Sequence, residues 1–130
     1  MNNENKKEDK LVEIKAKEID LPTLDLGQYV GKKTKIEKIE TREGNFGNYV
    51  KVITEKVGEY EKDDKKEPLV ASKIFGLQTD KEGQIGWGAE TKLGLYLKKM
   101  GVAHYDELKG KEVIVQIKTN KEGMEFLDFN

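Results

Sequence analysis

The feature that most constrains this chain is the order of its elements: three strand-like segments, then one helix bracketed by glycines, then a closing hairpin that reaches the last residues. That order predicts a mainly β domain, a small five-stranded barrel whose single α-helix falls between strands three and four. At 130 residues there is room for one domain with one modest core. The first ten residues, MNNENKKEDK, offer nothing to bury except the initiator, so a disordered tail over 1–10 and one domain over 11–130 are expected.

The individual elements follow from periodicity and turn chemistry. Leu11 to Ile19 alternates weakly, and Pro22 interrupts any regular element there, so this lead-in is expected to pack irregularly on the barrel. Thr34 to Arg42 is rich in Ile and Thr, but Ile36 and Ile39 stand three apart, a parity slip that a β-bulge would repair. Gly44, Asn45 and Gly47 supply a turn into Tyr49–Thr54, which alternates as a second strand. Gly58 to Pro68 is nearly all charge and turn residues and reads as a solvated loop before a third strand, Leu69 to Leu77.

A helix is predicted from about Ala89, with Leu93, Tyr96, Leu97 and Met100 on one stripe and Gly101 as its stop. Trp87, just before it, reads as a plug for the barrel bottom. Val113, Val115 and Ile117 alternate as strand four, and Asn120 to Gly123 turns the chain back into Met124–Phe129. The cluster Thr-Asn-Lys-Glu-Gly of that turn echoes Thr-Asp-Lys-Glu-Gly at 79–83, as ordinary turn chemistry rather than duplication.

Composition excludes several functions. With no cysteine there are no disulfides, zinc ribbons or thiol catalysis. No apolar run has membrane-spanning length and the polar start lacks the apolar core of a signal peptide, so an intracellular protein with no membrane partner is expected. His104, the single histidine, has no convergent partners in sequence, and the glycines form neither a phosphate loop nor a dinucleotide fingerprint. No nucleophile, base and oxyanion donor converge, so no enzyme, metal or cofactor is expected. The net charge of −1 means that any nucleic-acid site must be a local patch.

With these elements in place, and with the phrases Tyr29-Val30-Gly31-Lys32-Lys33 and Leu108-Lys109-Gly110-Lys111-Glu112-Val113 ahead of strands one and four, the chain resembles the OB-fold superfamily. The likeness is to its small single-stranded-DNA-binding members and covers roughly residues 30 to 129. It implies a Greek-key barrel with a ligand groove across strands two and three, flanked by the loops joining strands one to two and four to five. On that groove Tyr49 and Lys51 would face away from Val50 and Val52, and Lys73 and Phe75 would alternate against Ser72 and Ile74. Arg42 and Phe46 would form one rim, Lys118 and Lys121 the other. Such a groove suits unpaired strands, because lysines follow phosphates while each ring stacks a base of any identity.

The expected function is therefore non-enzymatic binding of single-stranded nucleic acid, DNA more than RNA, as an accessory in replication, recombination or repair. The alternative is a protein-interaction or assembly module, in which the same surface meets a second copy or a replication protein. Phe126 and Phe129 lie on opposite parities of the last strand, so at most one can face a ligand, and both read as core. Phe75 shares a parity with Leu69, Ala71 and Leu77, which would instead place it inside.

Overall fold

The computed structural model describes residues 11–18, 25–45 and 47–130. The tail expected over 1–10, Pro22 and Phe46 lie outside the described residues. The start of the lead-in does not pack as expected, since Leu11, Val12 and Ile14 are exposed, whereas Leu26 at its end is half-buried against the core.

Among the described residues the strands are β1 (Lys33–Gly44), β2 (Gly47–Thr54), β3 (Gly58–Lys62), β4 (Lys65–Leu69), β5 (Ser72–Gly76), β6 (Gln78–Thr79), β7 (Ile85–Gly86), β8 (Glu112–Thr119) and β9 (Glu125–Phe129). The α-helix α1 (Lys92–Met100) follows β7, and short 3-10 helices cover Leu26–Tyr29 and Tyr105–Leu108. Five strands form one antiparallel sheet in the order β5-β2-β1-β8-β9, and the pairs β3-β4 and β6-β7 form small hairpins of their own.

The closed five-stranded Greek-key barrel is therefore not what forms. No hydrogen-bonded ladder joins the edge strands β5 and β9, which meet through side chains, with Lys73 of β5 ion-paired to Asp128 of β9. Nor does the helix lie between strands three and four, because the segments 58–69 and 78–86 add two hairpins ahead of it. Gly58 to Pro68, expected as a loop, is most of the first of these; its turn is made by Asp63 and Asp64, both at positive φ, where glycine would be the usual signal.

β1 is long and bent, as the spacing of Ile36 and Ile39 predicts. The register against β2 shifts between Ile36 and Lys38, so Glu37 is the extra residue of a bulge and both isoleucines turn toward the interior. Before the bulge β1 pairs with β8, and from Ile36 on it pairs with β2, so one strand serves both halves of the sheet.

The core joins Val50 and Val52 of β2, Phe75 of β5, Val113 and Val115 of β8, and Leu127 and Phe129 of β9 to Leu93, Tyr96 and Leu97 of α1. The helix starts later than its periodicity suggests, because the Thr91 side chain accepts a hydrogen bond from the Gly94 N–H and caps it there. It ends where expected, with Gly101 left-handed at φ 74°. Trp87 is not a plug. It is half-buried at the core edge, its ring edge-on to His104 at 5.2 Å and 5.4 Å from Tyr105.

Candidate nucleic-acid interface

Two surfaces collect the residues that the sequence singles out. The first is the outer face of β1, β2 and β5. Because Val50 and Val52 point into the core, Tyr49, Lys51 and Ile53 alternate onto the opposite face. The register lines them up in rows: Arg42, Tyr49 and Gly76; then Glu40, Lys51 and Ile74; then Lys38, Ile53 and Ser72. Ile74 is 59% exposed in the middle of this face. At its upper end Arg42 donates to the Glu40 carboxylate at 2.8 Å. That hydrogen bond, with the charges of Arg42, Lys38 and Lys51, holds the Glu40 carboxyl below the usual carboxylate range.

The second surface is the seam between β5 and β9. β5 turns the opposite way from the expected groove. Lys73 pairs with Val52 and Phe75 with Val50, so both share the core face, while Ser72, Ile74 and Gly76 face outward. Phe75 is therefore buried, its ring 5.3 Å from that of Tyr96, and is not available to stack a base. Lys73 tolerates the inner face because Asp128 meets it there: the ammonium lies 2.9 Å from Oδ1 and donates to Oδ2 at 3.2 Å. It also stands over the rings of Phe129 and Tyr96, at 5.1 and 5.7 Å from their centroids. Lys118 reaches the same carboxylate at 3.3 Å from the solvent side.

Beside this ion cluster runs a cleft of about 400 Å³, bounded by β5 and α1 and lined by Lys73, Lys118, Lys92, Lys99, Leu95 and Tyr96 among others. It adjoins a second opening of about 280 Å³, lined also by Ser72 and Phe126 and sharing Lys73, Ile74 and Lys118 with the first. Lys99 lies 5.8 Å from the Tyr96 ring centroid. The Tyr96 hydroxyl donates to the Asn130 backbone oxygen at 2.9 Å. Burial, and secondarily the Asp128 charge, pushes its pKa up to about 12. Four lysines thus converge on one cleft against a single carboxylate behind it, a local excess of cations on a chain of net charge −1.

Of the expected site residues, Arg42, Tyr49 and Lys51 share the outer face, and Lys73 and Lys118 meet at the seam. Lys121 stays apart in the β8-β9 turn, exposed. The expected pairing of Lys73 with Phe75 as outward groove residues is overturned by the β5 register, and the Arg42 guanidinium is engaged by Glu40.

Several seam residues escape the sequence reading. Phe126, read as core, is 41% exposed while Phe129 is sealed. Lys92, Leu95 and Lys99 share one helix stripe at i, i+3 and i+7, a spacing the sequence does carry. A lone acid between Leu127 and Phe129 was also a visible signal for Asp128.

Among the described residues no group of His, Asp and Glu stands close enough to hold a metal ion, and no helix is long and apolar enough to cross a membrane. No protein-family model, curated protein or solved structure matches the chain.

Proposed function

We propose that the protein binds single-stranded nucleic acid along the seam cleft and the adjoining outer face of β5 and β2. The observation that carries this reading is the convergence of Lys73, Lys92, Lys99 and Lys118 on one open cleft flanked by exposed apolar side chains, Leu95, Ile74 and Phe126. The lysines supply phosphate contacts, and Phe126, with Tyr49 on the outer face, supplies ring faces for unpaired bases. Each stacked base contributes about 1–3 kcal/mol, so two stacks and a few phosphates give useful affinity without a basic protein. DNA is the first strand to test, in keeping with an accessory role in replication, recombination or repair.

Titration with short oligo-dT and the matching duplex at two salt concentrations tests it. Tight binding of the single strand, with a log K against log salt slope of about −0.7 for each phosphate neutralised, is the expected result. The Lys92→Ala/Lys99→Ala/Lys118→Ala variant should lose most of that slope. Equal affinity for duplex, or a slope unchanged in the variant, would overturn the reading.

The exposed apolar residues favour one other reading, a docking surface for a protein partner or a second copy. Ile74, Leu95 and Phe126 are 59%, 50% and 41% exposed around one cleft. In that case oligonucleotides would leave the protein's fluorescence unchanged, and sedimentation would show association that Ile74→Lys abolishes.

A further inference from the structure

A second cleft, of about 350 Å³, opens between the end of the β1-β2 ribbon and the β6-β7 hairpin, and shares no residue with the lysine-lined seam. Leu77 and Ile85 form its apolar side. Ile85 is 49% exposed, a large apolar side chain left uncovered on a two-residue strand that pairs only with β6. Tyr105 forms an aromatic wall, and two ring contacts hold it in place. Its ring lies 4.2 Å from that of His104 and 5.4 Å from that of Trp87. His104 is fixed in turn, since its Nδ1 accepts from the Asp106 N–H and its own N–H donates to the Glu107 carboxylate at 2.9 Å.

Polar groups border the same space. Glu43 and Asn48 are directly opposed across β1 and β2, with Thr41 and Arg42 beside them. The Asn48 backbone oxygen accepts from the Leu77 N–H at 2.8 Å, which ties the ribbon to the cleft floor.

An aromatic wall facing aliphatic side chains suits a flat ring. A carboxylate and a carboxamide at the border offer acceptors and donors for the edge of that ring, and the guanidinium of Arg42, which a phosphate would have to draw from its hydrogen bonds to Glu40, offers a counter-charge. The volume lies within the range of small-ligand pockets, roughly 300–1,000 Å³. We infer that this cleft binds a single nucleobase carried on a phosphate, either as a free mononucleotide or as the last nucleotide of a strand. The inference goes beyond the seam reading and does not depend on it, because mononucleotide binding stands even if oligonucleotides fail to bind at the lysines.

Trp87 is the single tryptophan and packs against Tyr105, so its emission reports on the cleft through that ring. Titration with adenosine 5′-monophosphate should change that emission saturably, whereas ribose 5-phosphate, which lacks the ring, should not. Ile85→Asp should weaken the mononucleotide by about tenfold or more, while the salt slope of oligo-dT binding, set at the lysines, stays unchanged. Amide resonances of Asn48, Leu77, Ile85 and Tyr105 should move in the wild-type protein, a readout that needs no variant. An oligonucleotide whose terminal residue lacks its base separates the two sources: the Ile85→Asp penalty on oligonucleotide binding disappears with it only if a strand end occupies the cleft. A response to ribose 5-phosphate equal to that of the nucleotide, resonance shifts confined to Lys92, Lys99 and Lys118, or no response at all would each overturn the inference.

Discussion

Lys73 and Asp128 face each other across the two edges of the sheet, Nζ to Oδ1 at 2.9 Å, with 16% and 3% of their side chains exposed. This one ion pair stands where a hydrogen-bonded ladder would otherwise close the seam. Removing one partner of a buried pair strands the other, so Asp128→Asn should cost about 3 kcal/mol, at the low end of the usual range because Lys73 keeps some contact with water. Lys73→Met should cost less, since Lys118 still reaches the Asp128 carboxylate at 3.3 Å. The Lys73→Met/Asp128→Asn double variant should lose less than the sum of the two single variants, and urea unfolding of all four proteins gives the coupling directly. Additive losses would mean that the pair contributes nothing beyond its separate members.

Tyr96 gives an alkaline prediction. Its folded pKa, pushed to about 12 by burial and then by the Asp128 charge, lies above the unfolded value of about 10. Between those values the native state holds a proton that the unfolded chain has lost. Stability should thus be unaffected by this group below pH 10 and fall by about 2–3 kcal/mol as the pH rises toward 12. Tyr96→Phe should flatten that decline, at a cost near neutrality of about 1 kcal/mol for the lost hydrogen bond to Asn130. Thermal or urea unfolding across pH 9–12 checks it.

Two phenylalanines of one strand should behave in opposite ways. Phe126→Ala removes a ring that is 41% exposed and should weaken oligonucleotide binding by about 1–3 kcal/mol with little change in unfolding. Phe129→Ala empties a fully buried position under the helix and should destabilise by about 3–5 kcal/mol. Matched binding and unfolding measurements on the two variants separate site from core.

Glu40 restrains the outer face. Its carboxylate is hydrogen-bonded by Arg42 and ringed by Lys38 and Lys51. Glu40→Gln should release the guanidinium for a phosphate, tightening strand binding and steepening the salt slope by about one further contact. In the wild-type protein the same release should appear as the pH falls through the lowered pKa of Glu40. A slope that does not change in Glu40→Gln would place Arg42 outside the path of the strand.

Local signals were legible, and the long-range closure was not. The three-residue spacing of Ile36 and Ile39 encodes the bulge at Glu37, and Gly101 marks the helix stop. The echo between 79–83 and 119–123 turns out to be one turn built twice. Asp80 Oδ1 accepts from the N–H groups of Glu82 and Gln84, Asn120 Oδ1 from those of Glu122 and Met124, and Gly83 and Gly123 sit at φ 82° and 83°. These features depend on neighbours in sequence.

The facing of β5 depends on a residue more than fifty positions away. A lysine alternating with a phenylalanine reads as a surface row, because burying an ammonium is unfavourable. Asp128 reverses that judgement by supplying the opposite charge from β9. The missed hairpin has a local cause instead: Asp63 and Asp64 adopt left-handed backbone conformations that composition alone assigns to glycine. The opposite parities of Phe126 and Phe129 are legible, but which of the two faces the core is not: the ladder to β8 sets Phe126 opposite Lys118, on the face away from Leu127 and Phe129, and leaves it exposed.

An edge united by side chains alone leaves its outward amides without a neighbouring strand. Deuterium should therefore enter the Ser72–Gly76 and Glu125–Phe129 backbones at their unladdered positions long before it reaches Val50 or Val52, which lie between two paired strands. A polyanion that draws Lys73 and Lys118 away from Asp128 would loosen the junction further, so occupancy of the cleft and the spacing of the two edges would vary together.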